Sequence, residues 1–172
     1  MKLLLTIKEQ DIFASSPNTD SKDFRSRRAA RVVVLDSQGH AALLKVNRYK
    51  YHKLPGGGVE RGEDFERALK RELLEEIGCE VEILDEVGQI VEYRGRPKLR
   101  QTSYCFLARQ IGKQHPSSFT EVELGGGFEV EWVEGIVGAI KILAQDQPQN
   151  YEGKFIQRRD IEFLRAAKKL SY

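Results

Sequence analysis

Nowhere do apolar residues run on long enough to cross a bilayer, which takes about 20 of them, and the opening run Leu3 to Ile7 is cut short by Lys8 and Glu9. Neither a signal peptide nor a membrane span is expected, and the reading is a water-soluble protein. Cysteine is scarce: Cys79 and Cys105 form neither a Cys-x-x-Cys pair nor a disulfide framework, which fits a reducing compartment, the cytoplasm. Internal repeats and low-complexity tracts are missing too. With 172 residues, 40% of them hydrophobic, the chain has material for one core and little for a second. Residues 1–27 are expected to be a strand and polar arm belonging to the same domain as residues 28–172.

A large net charge is also missing, the total being +2, but the balance is uneven along the chain. Residues 1–53 carry 11 lysines and arginines against 5 acids, and residues 60–86 carry 4 against 11. An acidic block beside a basic one suits a metal facing an anionic ligand. Duplex nucleic acid would call for one continuous basic face, and is not expected as a partner.

What is present reads as alternating strands and helices. A strand at 2–7 is followed by a polar stretch, 8–27, without a sustained period, and order is expected from about Arg28. Residues 30–36 and 41–47 are β-rich and flank a turn, a hairpin pattern. After the glycines at 56–58 comes a helix over 64–77, with Asp64 as N-cap and Gly78 as stop. Strands are expected at 80–93 and 98–109, a loop at 110–127, a strand at 128–133 and a helix over 134–146. Ile156, Phe163, Ala167 and Leu170 then recur at helical spacing and give a closing amphipathic helix.

The helix at 64–77 carries its acids on an unexpected side. At about 100° per residue, with Glu72 at zero, Phe65, Ala68 and Leu69 fall near +20°, −40° and +60°, and Glu75 and Glu76 near −60° and +40°. The carboxylates thus continue the apolar stripe. Three inward acids repel unless something cationic offsets them. Arg67, Lys70 and Arg71 could do so on an exposed helix; a hard divalent cation is the other solution. All-oxygen ligands favour magnesium, manganese or calcium over zinc, and magnesium brings phosphates with it.

Gly57, five residues, Glu63, seven residues, then Arg71-Glu72-Leu73-Leu74-Glu75-Glu76-Ile77-Gly78-Cys79 resembles the signature box of the Nudix hydrolases, with every constrained position filled. Leu54-Pro55-Gly56-Gly57-Gly58 before it and Phe128 to Val133 after it also look like family sequence. The resemblance implies an α/β fold, a mixed β-sheet between helical layers in an α/β/α sandwich, with the box as a loop-helix-loop at one end. It implies metal coordination by Glu72, Glu75, Glu76 and the Gly57 carbonyl, with Arg71 and Glu63 bracing the box. The reaction implied is Mg2+-dependent hydrolysis of a diphosphate bond in a nucleoside diphosphate linked to another group, with Mn2+ as a substitute. An intact box favours turnover over a module of the same fold that binds a nucleotide or a protein without hydrolysis.

The general base varies in that family, and Glu75 and Glu76 rank ahead of Glu121 and Glu123 on the later loop. For the substrate, Arg48, Tyr49, Lys50, Tyr51, His52 and Lys53 mix cations with aromatics. They fit a base- and phosphate-binding edge or an ordinary polar strand edge. Arg48, Tyr51, Lys53 and Tyr104 are the substrate-binding candidates, with Gln101 as a further residue of the same cleft; a core tyrosine at 104 and a surface glutamine at 101 are the plainer reading of those two. Trp132 is assigned to packing, and His40 and His115 to turns. A small nucleotide is the expected partner, met by a monomer or a homodimer.

Overall fold

The structure is a computed structural model and describes residues 1–17 and 22–170. Part of the expected polar arm, 18–21, and the last two residues lie outside the described residues. The strands are β1 (Leu3–Lys8), β2 (Arg25–Leu35), β3 (Ala41–Val46), β4 (Tyr51–Lys53), β5 (Glu80–Arg94), β6 (Leu99–Ile111) and β7 (Phe128–Val133). The helices are α1 (Glu9–Ile12), α2 (Phe65–Ile77), α3 (Glu121–Gly126), α4 (Gly135–Gln145) and α5 (Tyr151–Ala167). The strands form one mixed sheet in the order β1-β5-β6-β2-β3-β4, with β7 also paired to β3.

Side chains alternate across a strand, so β2 feeds two cores. Ala30, Val32 and Val34 point to the layer holding α2, where Leu69, Leu73 and Ile77 meet them. Val33 points to the opposite layer, against Phe155, Phe163 and Leu164 of α5 and Leu143 of α4. The expected α/β/α sandwich is therefore present.

Several expectations change in detail. The turn between β2 and β3 forms, with the Asp36 amide donating to the His40 carbonyl at 2.9 Å, but the strands share only the Leu35–Ala41 pair. They part because β2 is claimed on both sides. It runs parallel to β6 along its whole length on one edge. On the other, the Val32 and Ala30 amides donate to the Pro55 and Gly57 carbonyls at 3.2 and 3.0 Å, and the Val59 amide donates to Arg28 at 3.0 Å. The polar stretch 8–27 is more ordered than expected: it holds α1, and β2 starts at Arg25. The loop expected at 110–127 contains α3, started by a Thr120–Glu123 capping box.

Candidate active site

The acidic helix is α2, and its ends are those expected. The Asp64 carboxylate accepts from the Arg67 amide at 2.8 Å, and Gly78 closes the helix. The inward aim of the three glutamates is graded. The Glu76 side chain is 1% exposed, that of Glu72 13%, and that of Glu75 40%. Successive 100° steps carry Glu75 to the rim of the stripe while Glu76 lies over the core.

The cations that could have paired with these acids divide unevenly. Lys70 pairs with Glu66 at 3.0 Å and Arg67 with Asp64 at 3.7 Å, both on the exposed side of the helix. Only Arg71 serves the box. Its Nε and Nη2 donate to the two Glu63 oxygens at 3.2 and 3.1 Å, its Nη2 also to the Gly58 carbonyl at 3.1 Å, and its Nη1 to Glu72 at 2.7 Å. The planar fork thus ties the loop before the helix to the helix itself. Hydrogen bonding from Arg71 and from the Glu60 amide holds the Glu63 carboxyl below its ordinary range.

Glu76 has a different partner. Lys53 Nζ, at the end of β4, donates to its Oε1 at 2.9 Å, and the Gly56 amide donates to its Oε2 at 2.5 Å. Burial still pushes the Glu76 carboxyl above its ordinary value. Gly56 has φ +114°, and a Cβ there would run into the Ala30 carbonyl, so the turn that aims this amide demands glycine. A Cβ on Gly57 would occupy the space of the Glu72 carboxylate.

No three carboxylate, imidazole or thiolate side chains among the described residues converge as a ready-made metal cage. Within the protein itself, Lys53 pairs with Glu76, and Arg71 is shared among Glu63, Glu72 and Glu75. The donor chemistry nevertheless fits a hard cation. Glu72 packs directly on Gly57, whose carbonyl keeps a lone pair beyond its bond from Ala30, and Glu76 lies on the same inward face. Glu75 stands at the edge of this corner.

The other candidates scatter. Glu123 is spent on its helix cap, accepting from the Thr120 amide at 2.8 Å and hydroxyl at 2.7 Å, and Glu121 is exposed on the same turn. The run 48–53 splits by position. Arg48 is exposed over the Tyr49 ring, whereas Tyr51 is buried against Gly153 of α5, its hydroxyl pushed up to about 12 by that burial. Tyr51 is thus a packing residue, not an open stacking platform. His52 is held by Asp146 at 2.9 Å and Glu131 at 3.3 Å; burial lowers its pKa, but Asp146 outweighs that and the net shift is upward.

Tyr104 and Gln101 do not share a cleft. Three positions apart on β6, they point to opposite faces. Tyr104 packs tilted against Phe65, with ring centroids 4.5 Å apart, in a groove of about 920 Å³ behind α2, away from the acidic corner. Gln101, expected at the surface, is buried and donates to Glu92 at 2.9 Å. Trp132 packs against the α2 core, His40 bonds Asp36 across its turn, and the His115 amide donates to Gly78.

Sequence reasoning passed over the buried polar cluster beneath this corner. Arg159 and Asp160 of α5 are fully buried and bonded to each other at 2.7 Å. Arg159 also reaches Glu92 at 3.4 Å, and Arg94 reaches Glu92 at 2.9 Å. Burial would raise the Glu92 carboxyl, but Arg159 and Arg94 outweigh it and hold it low. Asp160 Oδ2 accepts from the Leu54 amide at 2.9 Å, so α5 grips the loop that carries Gly56 and Gly57. The available signal was Arg31 inside the otherwise apolar run 29–35 of β2 and Arg159-Asp160 inside the apolar stripe of α5.

A mixed sheet between helical layers, with a braced acidic helix entered through a glycine turn, defines the class. The model of the NUDIX domain matches residues 25–136, more than half of the chain, and the chain belongs to the Nudix family. It is 34% identical over 92 residues to a Bacillus subtilis (strain 168) protein that carries the provisional name 8-oxo-dGTP diphosphatase, covering 54% of this chain and 59% of that protein. It is 47% identical over 66 residues to the RNA pyrophosphohydrolase of Sulfurovum sp. (strain NBC37-1), covering 33% of this chain and 42% of that one. The chain thus spans less than two thirds of either relative. Its fold is shared by the E. coli ORF135 protein, with a TM-score of 0.60 at 17% identity over 90% of this chain and 95% of the other. Among the described residues no helix is long and apolar enough to cross a membrane.

Proposed function

We propose that the protein is a Mg2+-dependent hydrolase that cleaves a diphosphate bond in a nucleoside diphosphate linked to another group. Nucleoside triphosphates, oxidised ones included, and ADP-ribose-like nucleotides are the substrate classes. The observation that carries this reading is the acidic corner itself: Glu72 against Gly57, Glu76 buried beside them, and Arg71 tying Glu63, Gly58 and Glu72 together. The names of the two curated relatives, both of hydrolases acting on phosphoric anhydrides, support it.

Glu72, Glu76 and the Gly57 carbonyl would hold the cation, with Glu75 joining from the rim. A divalent cation there offsets charge on the phosphate oxygens and makes a bound water more acidic. The residues around it divide the remaining work. Arg71 fixes the Glu72 carboxylate so that its oxygens need no reorganisation. Glu75 is the most exposed of Glu72, Glu75 and Glu76, and its ion pair with Arg71 is long, at 3.9 Å, which leaves its carboxylate able to take a proton from water. Exposed Arg48, in the run of cations and aromatics at 48–53, would be the residue to meet the nucleotide's phosphates.

Turnover of a nucleotide panel with Mg2+, read as released phosphate or pyrophosphate, tests the reading and selects the substrate. In Glu76→Gln, turnover of the best substrate is expected to fall by about 10²-fold or more, with an unchanged circular dichroism spectrum. Unchanged turnover in that variant would sink the assignment.

A further inference from the structure

Glu76 is the most deeply buried acid of the box, and its charge is already matched within the protein. Lys53 holds Oε1 and the Gly56 amide holds Oε2, at 2.9 and 2.5 Å. The proposed function asks the same carboxylate to hold a divalent cation. Two cations at one buried carboxylate repel each other strongly, because little water lies between them to screen the interaction.

One of the partners can move and the other cannot. Glu76 is fixed on α2, within the core made by Leu69, Leu73 and Ile77. Lys53 ends a three-residue strand at the edge of the sheet, and its ammonium rides on a four-carbon stem, 12% exposed. A second berth lies beside it. The Nζ is 5.1 Å from the centroid of the Phe128 ring, whose π face attracts a cation when no carboxylate holds it.

We infer that Lys53 is an exchangeable counterion: it neutralises Glu76 while no metal is bound, and yields that carboxylate to a divalent cation by moving toward Phe128. The inference rests on the reading of Glu76 as a metal ligand. It makes Lys53 a positioning residue that sets the strength of metal binding. From the Phe128 berth the ammonium remains within the same corner, where the phosphates of a nucleotide would lie. An ion pair that merely staples β4 to α2 would behave differently, since breaking it would weaken the protein equally with and without metal.

The test uses the whole protein with Mn2+ as the sole ligand and no nucleotide. Free Mn2+ is counted by electron paramagnetic resonance, and thermal unfolding is followed with and without the ion. In Lys53→Met, the Mn2+ dissociation constant is expected to fall by about tenfold or more, because the competing charge is gone. The melting temperature without Mn2+ is expected to drop, and the gain on adding Mn2+ to exceed that of the wild type. Lys53→Arg keeps a cation and is expected to bind Mn2+ within about threefold of the wild type. An unchanged or weakened Mn2+ affinity in Lys53→Met would overturn the inference. So would a Lys53→Met protein that stays unfolded even in Mn2+, since the metal would then be unable to replace the ammonium. Failure of the wild type to bind Mn2+ at all would remove the metal reading itself, and is told apart because it does not depend on Lys53.

Discussion

A single missing methyl group shapes the acidic corner. The Glu72 carboxylate fills the space where a side chain on residue 57 would begin, so the glycine is required by contact and not by its backbone angles. Gly57→Ala is expected to push Glu72 off its bond to Arg71 and to lower Mg2+-dependent turnover on the order of 10²-fold, as displacements near 1 Å commonly do. Steady-state kinetics beside a melting curve checks it; full activity would show that Glu72 has no fixed place in the reaction. At this scale the sequence was readable wherever the relevant spacing is local. The helical projection put Glu72 and Glu76 inward from their positions alone, and the bond between Glu63 and Arg71 is a contact eight residues long. Lys53 and Glu76 lie 23 positions apart, and which cation would reach the buried acid depends on how β4 docks on the edge of the sheet. Tyr104 and Gln101 show the reverse case, because the period of two along a strand already separates them.

Among elements, the decisive contact is between α5 and the turn at 54–57. Asp160 accepts from the Leu54 amide and is matched by Arg159, so the C-terminal helix fixes the start of the glycine turn. Asp160→Asn keeps the shape and an acceptor for Leu54 but takes from Arg159 its closest counter-charge. Breaking a buried pair costs about 3–5 kcal/mol; with Glu92 still in contact, a loss of about 3 kcal/mol is expected in urea unfolding. The loosened turn is expected to lower kcat more than it raises KM. This grip was hard to see in the sequence because polar residues sit within the apolar stripe of α5, and Phe155, not Ile156, turns out to be its buried partner. The β2–β3 hairpin was misread for a related reason. Two β-rich runs around a turn do not reveal that another segment will take the free edge of one of them.

For the molecule as a whole, the family match and the folded unit differ in extent. Residues 25–136 contain the box but omit β1 and α5 and nearly all of α4. Those pieces supply Ile7, Leu143, Phe155, Phe163 and Leu164 to one of the two cores, and Arg159 to the buried Glu92. A fragment of residues 25–136 is therefore expected to show no cooperative melting transition and to bind a hydrophobic dye, whereas the full chain melts in one step. A cooperative transition in the fragment would show that the α5 layer is an addition to a self-sufficient fold. The order of strands and helices was legible from their periods, and the sandwich followed from the resemblance carried by the box and its flanks. Which layer each strand residue served was less legible, because the second half of β2 is apolar on both faces, as strands between two helical layers are.

The glycine turn has one more consequence. Because the 55–59 segment trades backbone hydrogen bonds with Ala30, Val32 and Arg28, it is in effect one more rung of the sheet, and a rung cannot swing. On the proposed function it would serve as a fixed rail for substrate and not as a lid. A rearrangement on metal binding would fall instead to the Lys53 side chain, which lies between Glu76 and the Phe128 ring. The site proposed for the cation would thus combine a rigid backbone rung with one side chain able to change partners.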